Sequence, residues 1–115
     1  MWLNLFTMQK NIMIFVIAAS ELHDNCRDKF IAIVKENLPL VRSEAGCISY
    51  ELAADCDSGL APQVKSGENV VTFVECWESL EHLKAHLAAP HMDTFREKVK
   101  DMRKSSSLKV LTPVC

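Results

Sequence analysis

Residues 69–90 read Asn-Val-Val-Thr-Phe-Val-Glu-Cys-Trp-Glu-Ser-Leu-Glu-His-Leu-Lys-Ala-His-Leu-Ala-Ala-Pro, and the two halves of this stretch follow different periods. Asn69 to Glu78 alternates. Val71, Phe73, Glu75 and Trp77 share one face, and Val70, Thr72, Val74 and Cys76 share the other. β-Branched and aromatic residues at period two predict a strand. Both faces are largely apolar, so the strand needs cover on both sides. At Ser79 the period changes. Its hydroxyl can cap a helix start, and Glu81 lies near the positive end of the helix dipole. Leu80, Leu83 and Leu87 then recur at helical spacing until Pro90 breaks the run.

The same reading extends outward in both directions. Asn11 to Ala19 is rich in Ile, Val and Phe on both parities and predicts another strand covered on both faces. Asp24 can cap a following helix, whose stripe is Cys26, Phe30, Ile33, Val34, Leu38 and Val41. Pro39 is expected to kink it or restart its last turn, and Gly46 to stop it. Cys47 to Ala53 alternates, with Ile48, Tyr50 and Leu52 on one face and Cys47, Ser49 and Glu51 on the other. Ala54 to Glu68 is dominated by turn formers and predicts a long loop. Beyond Pro90, Met92, Phe95, Val99 and Met102 predict a helix from about His91 to Arg103. Ser105 to Ser107 read as a link, and Leu108 to Val114 as a last strand. The order β-α-β-β-α-β, with the last helix in two pieces, predicts an α+β domain with a ferredoxin-like antiparallel sheet. Helices cover one face of such a sheet. The other face is apolar too, which predicts a symmetric homodimer.

Composition narrows the class. A chain of 115 residues suits one domain, here residues 11–115, with residues 1–10 read as an N-terminal extension. The net charge is −2 and the basic residues form no stripe, which argues against nucleic-acid binding. The longest apolar run, Ile12 to Ala19, is too short to cross a bilayer as a helix, and residues 1–11 lack the features of a secretion signal. The five cysteines are widely spaced, with no C-x-x-C, so neither a disulfide framework nor a zinc site is expected. Reduced thiols in a cytoplasm are the simplest reading.

Several residues could carry chemistry. Glu75 lies among Val71, Phe73 and Trp77, where an apolar setting raises a carboxyl pKa and can make a base, unless the group serves a dimer salt bridge. His82 and His86 share one side of a helix. Zinc can use that spacing, but Leu83 stands where H-E-x-x-H requires Glu, so no metal is expected. His91 opens a helical turn, as a capping residue or as a pocket base or donor. Trp77 can stack on a flat ring or simply fill the core, and Tyr50 has a hydroxyl able to donate to a substrate oxygen. No Gly-rich phosphate loop and no G-x-S-x-G is present.

The run Phe73-Val-Glu-Cys-Trp-Glu-Ser-Leu-Glu-His-Leu-Lys-Ala-His-Leu-Ala-Ala-Pro-His-Met, with Glu44-Ala-Gly-Cys and Asp55-Cys-Asp-Ser-Gly, resembles the antibiotic-biosynthesis monooxygenase family, and within it the bacterial quinol monooxygenases. The resemblance spans about residue 12 to residue 113. It implies a dimeric α+β barrel that oxidises a small aromatic quinol or phenol with O2 and uses no cofactor. It further implies a pocket lined by Tyr50, Phe73, Trp77 and Phe95, with Glu75, His82 or His91 as catalytic groups. The haem-degrading branch uses an Asn within the first strand, and here Asn11 stands only at its very start. The branch that isomerises phosphorylated sugars would want a phosphate-binding cluster, and no Arg or Lys grouping supplies one. Two other classes stay open: a non-catalytic binder of aromatic ligands and an isomerase of a small carbonyl metabolite.

Overall fold

The computed structural model describes residues 12–115; the extension read at residues 1–10, and Asn11, lie outside that range. Its elements are β1 (Ile14–Leu22), α1 (Arg27–Arg42), β2 (Cys47–Ala53), β3 (Val70–Trp77), α2 (Leu80–Leu87), α3 (Pro90–Val99) and β4 (Arg103–Leu111). The four strands form one antiparallel sheet in the order β2-β3-β1-β4. That is the ferredoxin-like α+β fold expected from the sequence. The helices pack on one face, over Ile14, Val16, Leu22, Tyr50, Val71, Phe73 and Trp77. No helix among the described residues is long and apolar enough to cross a membrane.

Several boundaries differ from the sequence reading. β1 runs three residues further than Ala19, because Ser20 and Leu22 are buried and Leu22 N–H donates to Asn69 O at 2.8 Å. Asp24 does not cap α1. It accepts from Asn69 Nδ2 at 2.8 Å, and Cys26 holds the cap position without a side-chain bond. Asn25 makes the turn between them with φ +67°, a conformation that Asn tolerates. Pro39 lies inside α1 without restarting it. The carbonyl that loses its partner belongs to Lys35, which is exposed, so water can satisfy it. The helix ends at Arg42 rather than near Gly46.

The largest difference is at the end of the chain. Arg103 to Ser107 form no helix end and no link, but the first half of β4. Ser105, Ser106 and Ser107 pair with Glu21, Ser20 and Ala19. Pairing with β1 satisfies their backbone groups, which overrides the weak strand preference of serine. α3 therefore stops at Val99, and Met102 is buried through a turn closed by Met102 N–H on Val99 O.

Two bulges set which side chains face the helices. Cys47 is opposite Trp77 and Ser49 opposite Cys76, so Ile48 is the extra residue. Cys47 consequently packs on the core face with Tyr50, and Ile48 is 53 % exposed, which reverses the alternation expected there. On β4, Ser105 is opposite Glu21 but Arg103 is opposite Leu22, so Lys104 is extra. Without that bulge Lys104 would face the helices. With it, Arg103 does.

Candidate active site

A cavity of about 190 Å3 lies between the sheet and the α2–α3 pair. Its floor draws on all four strands: Val16 and Ala18 of β1, Tyr50 of β2, Phe73 and Glu75 of β3, Arg103 and Leu108 of β4. Its roof comes from Leu83, His86, Met92, Phe95 and Arg96. Register explains the hollow. Ala18 sits between Phe73 and Leu108 in one row across the sheet, and its single methyl leaves the space above it unfilled. Leu108 remains 56 % exposed, so the cavity opens on the β4 side.

Glu75 is the acid of this cavity. It is 6 % exposed, and its Oε1 accepts from Trp77 Nε1 at 2.9 Å. Burial pushes its pKa up to about 7; the indole N–H holds it down, and the Glu44 charge adds to the rise. A carboxyl group so poised can both take and return a proton near neutral pH. Tyr50 packs against Phe73 at 5.3 Å and lies edge-on to Trp77 and His86. Burial raises its phenol well above the ordinary value, so the hydroxyl keeps its proton as a donor.

Beside these residues lies a second polar group. Glu44, in the turn after α1, accepts on Oε2 from His86 Nδ1 at 2.8 Å and His91 Nε2 at 2.9 Å. His86 is buried against Trp77, its ring tilted 32° to the indole with centroids 4.6 Å apart. Burial pulls its pKa below the usual imidazole value, against the Glu44 hydrogen bond, which raises it. The bond to Glu44 assigns the proton to Nδ1 and leaves Nε2 as the acceptor. Glu44, His86 and His91 are also the described residues that could hold a metal, their ligand atoms lying within 4.8 Å of one another. The two hydrogen-bonded separations are shorter than the roughly 3.3 Å between ligands on one tetrahedral zinc. A cation would have to push them apart.

Of the sequence candidates, Tyr50, Phe73, Glu75 and Phe95 line the cavity, and Trp77 stands behind Glu75 as its hydrogen-bond donor. His82 and His91 are not among the lining residues. His82 Nδ1 lies 2.7 Å from Ser79 Oγ, and its ring covers Gly46. His91 sits on the far side of Glu44, beside a shallow groove between α1 and α3. Sequence reasoning missed His86, Arg103 and Glu44. The signal for His86 was its place beside Leu83 on the helix. The buried stripe of α2 is Leu83 and His86, whereas Leu80 and Leu87 stay about 40 % exposed. Arg103 had no signal, because its inward aim depends on the β4 bulge.

Comparison with known proteins agrees with the fold. The chain is 37% identical to the "Probable quinol monooxygenase YgiN" of Escherichia coli strain K12 over 86 residues, 75% of this chain and 78% of that protein. Among solved structures, a protein of Nitrosomonas europaea superposes with a TM-score of 0.77 at 14% identity, covering 90% of this chain and 92% of that one. A conserved protein of Methanosarcina mazei gives 0.75 at 17% identity, covering 91% and 96%. These two likenesses establish the fold alone. Residues 13–98 match the profile described as antibiotic biosynthesis monooxygenase, which contains β1, β3, Glu75, Trp77 and both cavity helices, and the chain belongs to that family.

Proposed function

We propose that this protein is a cytoplasmic, homodimeric monooxygenase that oxidises a small aromatic quinol or phenol with O2, using neither metal nor organic cofactor. One observation carries the reading: a buried carboxyl group, its pKa pushed up by burial, stands in an aromatic-walled cavity open on one side. The quinol monooxygenase named above is a relative over most of its length, which supports the substrate class. Five free thiols suit a reducing compartment.

Glu75 is the base in this scheme. It takes a proton from the ring hydroxyl, and the resulting anion donates electrons to O2. One oxygen atom ends on the ring and the other leaves as water, so a quinol and O2 give a hydroxyquinone and water. Phe73 and Phe95 hold the ring, Tyr50 donates to a ring oxygen, and Trp77 fixes the Glu75 carboxylate. The enclosure keeps bulk water from the anion. His82 and His91 have no direct part, since neither lines the cavity.

The test is oxygen uptake by metal-free protein with a panel of reduced naphthoquinones and naphthols, run with isotopically labelled O2. Label is expected in the product ring. Glu75→Gln should lower turnover by about two to four orders of magnitude, the usual contribution of a general base. Absence of turnover across the whole panel would overturn the proposal.

A further inference from the structure

We infer that Arg103 forms an anion-binding subsite in the cavity, so that the ligand is an aromatic ring system carrying a carboxylate at the end remote from its hydroxyl. The inference rests on the cavity being the ligand site, as proposed above. Three observations lead to it. First, Arg103 Nε is buried and has no hydrogen-bond partner. Among the described residues no carboxylate lies within ion-pair distance of its guanidinium, although the other arginine of the cavity, Arg96, is bonded to Asp93 at 2.7 Å and to Leu87 O at 2.8 Å. A buried N–H without an acceptor is costly, and native proteins rarely leave one so. Second, the β4 bulge turns Arg103 inward and sends Lys104 out to Glu21, 3.8 Å away. A bulge that re-aims one side chain is a recurrent device beside active sites. Third, the Arg103 guanidinium lies over two aromatic rings, 5.6 Å from the Phe30 centroid and 5.7 Å from that of Phe95. Those rings pack against the guanidinium without neutralising it, and its Nε–H stays free for a carboxylate.

Glu75 of β3 lies opposite Val16 and Arg103 of β4 opposite Leu22, so the two stand at opposite ends of the cavity, and Ala18 opens the space across the strand between them. A ring held by Phe73 and Phe95 can therefore point a hydroxyl toward Glu75 while a carboxylate points toward Arg103. Neutral quinols would occupy the same cavity and leave Arg103 unpaired.

The experiment compares 6-hydroxy-2-naphthoate, whose two groups stand at opposite ends of the ring system, with 2-naphthol by calorimetry under argon, where no turnover intrudes. Wild-type protein should bind the carboxylate at least about tenfold more tightly, the weight of one charge-assisted pair. Arg103→Gln should bring the two affinities within about threefold by weakening only the carboxylate, and Arg103→Lys should restore part of the preference. Equal affinities in the wild type sink the subsite but leave the quinol reading standing, as does a preference that survives Arg103→Gln. Failure of both compounds to bind removes the ligand site itself, and both readings with it. Should Arg103→Gln not fold, the wild-type ratio and the lysine variant still decide.

Discussion

A carboxyl group that is 6 % exposed and accepts a single indole N–H has lost most of the hydration that keeps it ionised in water. Between its ordinary value, about 4.3, and about 7 in the fold, native Glu75 holds a proton that the unfolded chain has released. Stability from this group is therefore full below pH 4 and declines as pH rises through 7, by on the order of 3 kcal/mol. Glu75→Gln keeps the acceptor for Trp77 and removes the titration. Thermal melts from pH 5 to 9 should show the variant gaining on wild type as pH rises, by several degrees at pH 8; parallel curves would refute the assignment. His86 acts with the opposite sign. Its depressed pKa favours the fold above about 6.5 and costs stability below. Because His86 is present in both proteins, it cancels in the comparison. Trp77→Phe tests the same carboxyl from the other side. Loss of the N–H that stabilises the charged form raises the Glu75 pKa further, so the acidic limb of kcat/KM against pH should move upward, with activity recovered at pH 9. A lowered plateau with an unmoved limb would mean that Trp77 matters only as packing.

At the scale of elements, the α1–β2 turn and the start of α2 meet at Gly46. Its φ is +81°, and an added Cβ would come within 2.2 Å of His82 Cγ. Gly46 O also accepts from Glu78 N–H at 2.8 Å, so the turn cannot easily retreat. Gly46→Ala should cost about 2–4 kcal/mol, combining left-handed strain with the collision, as measured by urea unfolding. A loss under 0.5 kcal/mol would mean that the two elements are looser than they look. The sequence made Gly46 visible as a stop signal but not as a packing contact, because the ring it meets is 36 residues away. The same limit recurs elsewhere. Period and capping located β3, Ser79 and the core stripe of α1, since these are local properties. They also placed Glu75, Phe73 and Tyr50 on the correct face. What escaped was whatever depends on strand pairing: the bulge at Ile48 that turns Cys47 inward, the bulge at Lys104 that turns Arg103 inward, and the serines that become strand only because β1 lies beside them. Glu44, His86 and His91 come together from three segments, and only tertiary packing makes that group.

For the whole molecule, the proposed homodimer rests on the outer sheet face. Phe15 is 37 % and Val74 42 % exposed, and both point away from the helices, together with Ile17, Ala19, Cys76 and Leu111. Val74 lies opposite Ile17, near the middle of this face. Covering half-exposed apolar side chains such as Phe15, Val74 and Leu111 gains about 1 kcal/mol each, and a self-complementary face counts every residue twice, which works against the association cost of a back-to-back pair of sheets. Sedimentation velocity at micromolar concentration should then give twice the 13.0 kDa of one chain. Val74→Asp places a charge in the centre of the covered face, where burial without a partner costs several kcal/mol. It should yield a 13.0 kDa species with unchanged far-ultraviolet dichroism, because the residue faces away from the core of its own subunit. A wild-type chain that sediments as a monomer at these concentrations would show that the apolar outer face tolerates water. The homodimer would then have to be abandoned, while the cavity, enclosed by elements of a single chain, would stand.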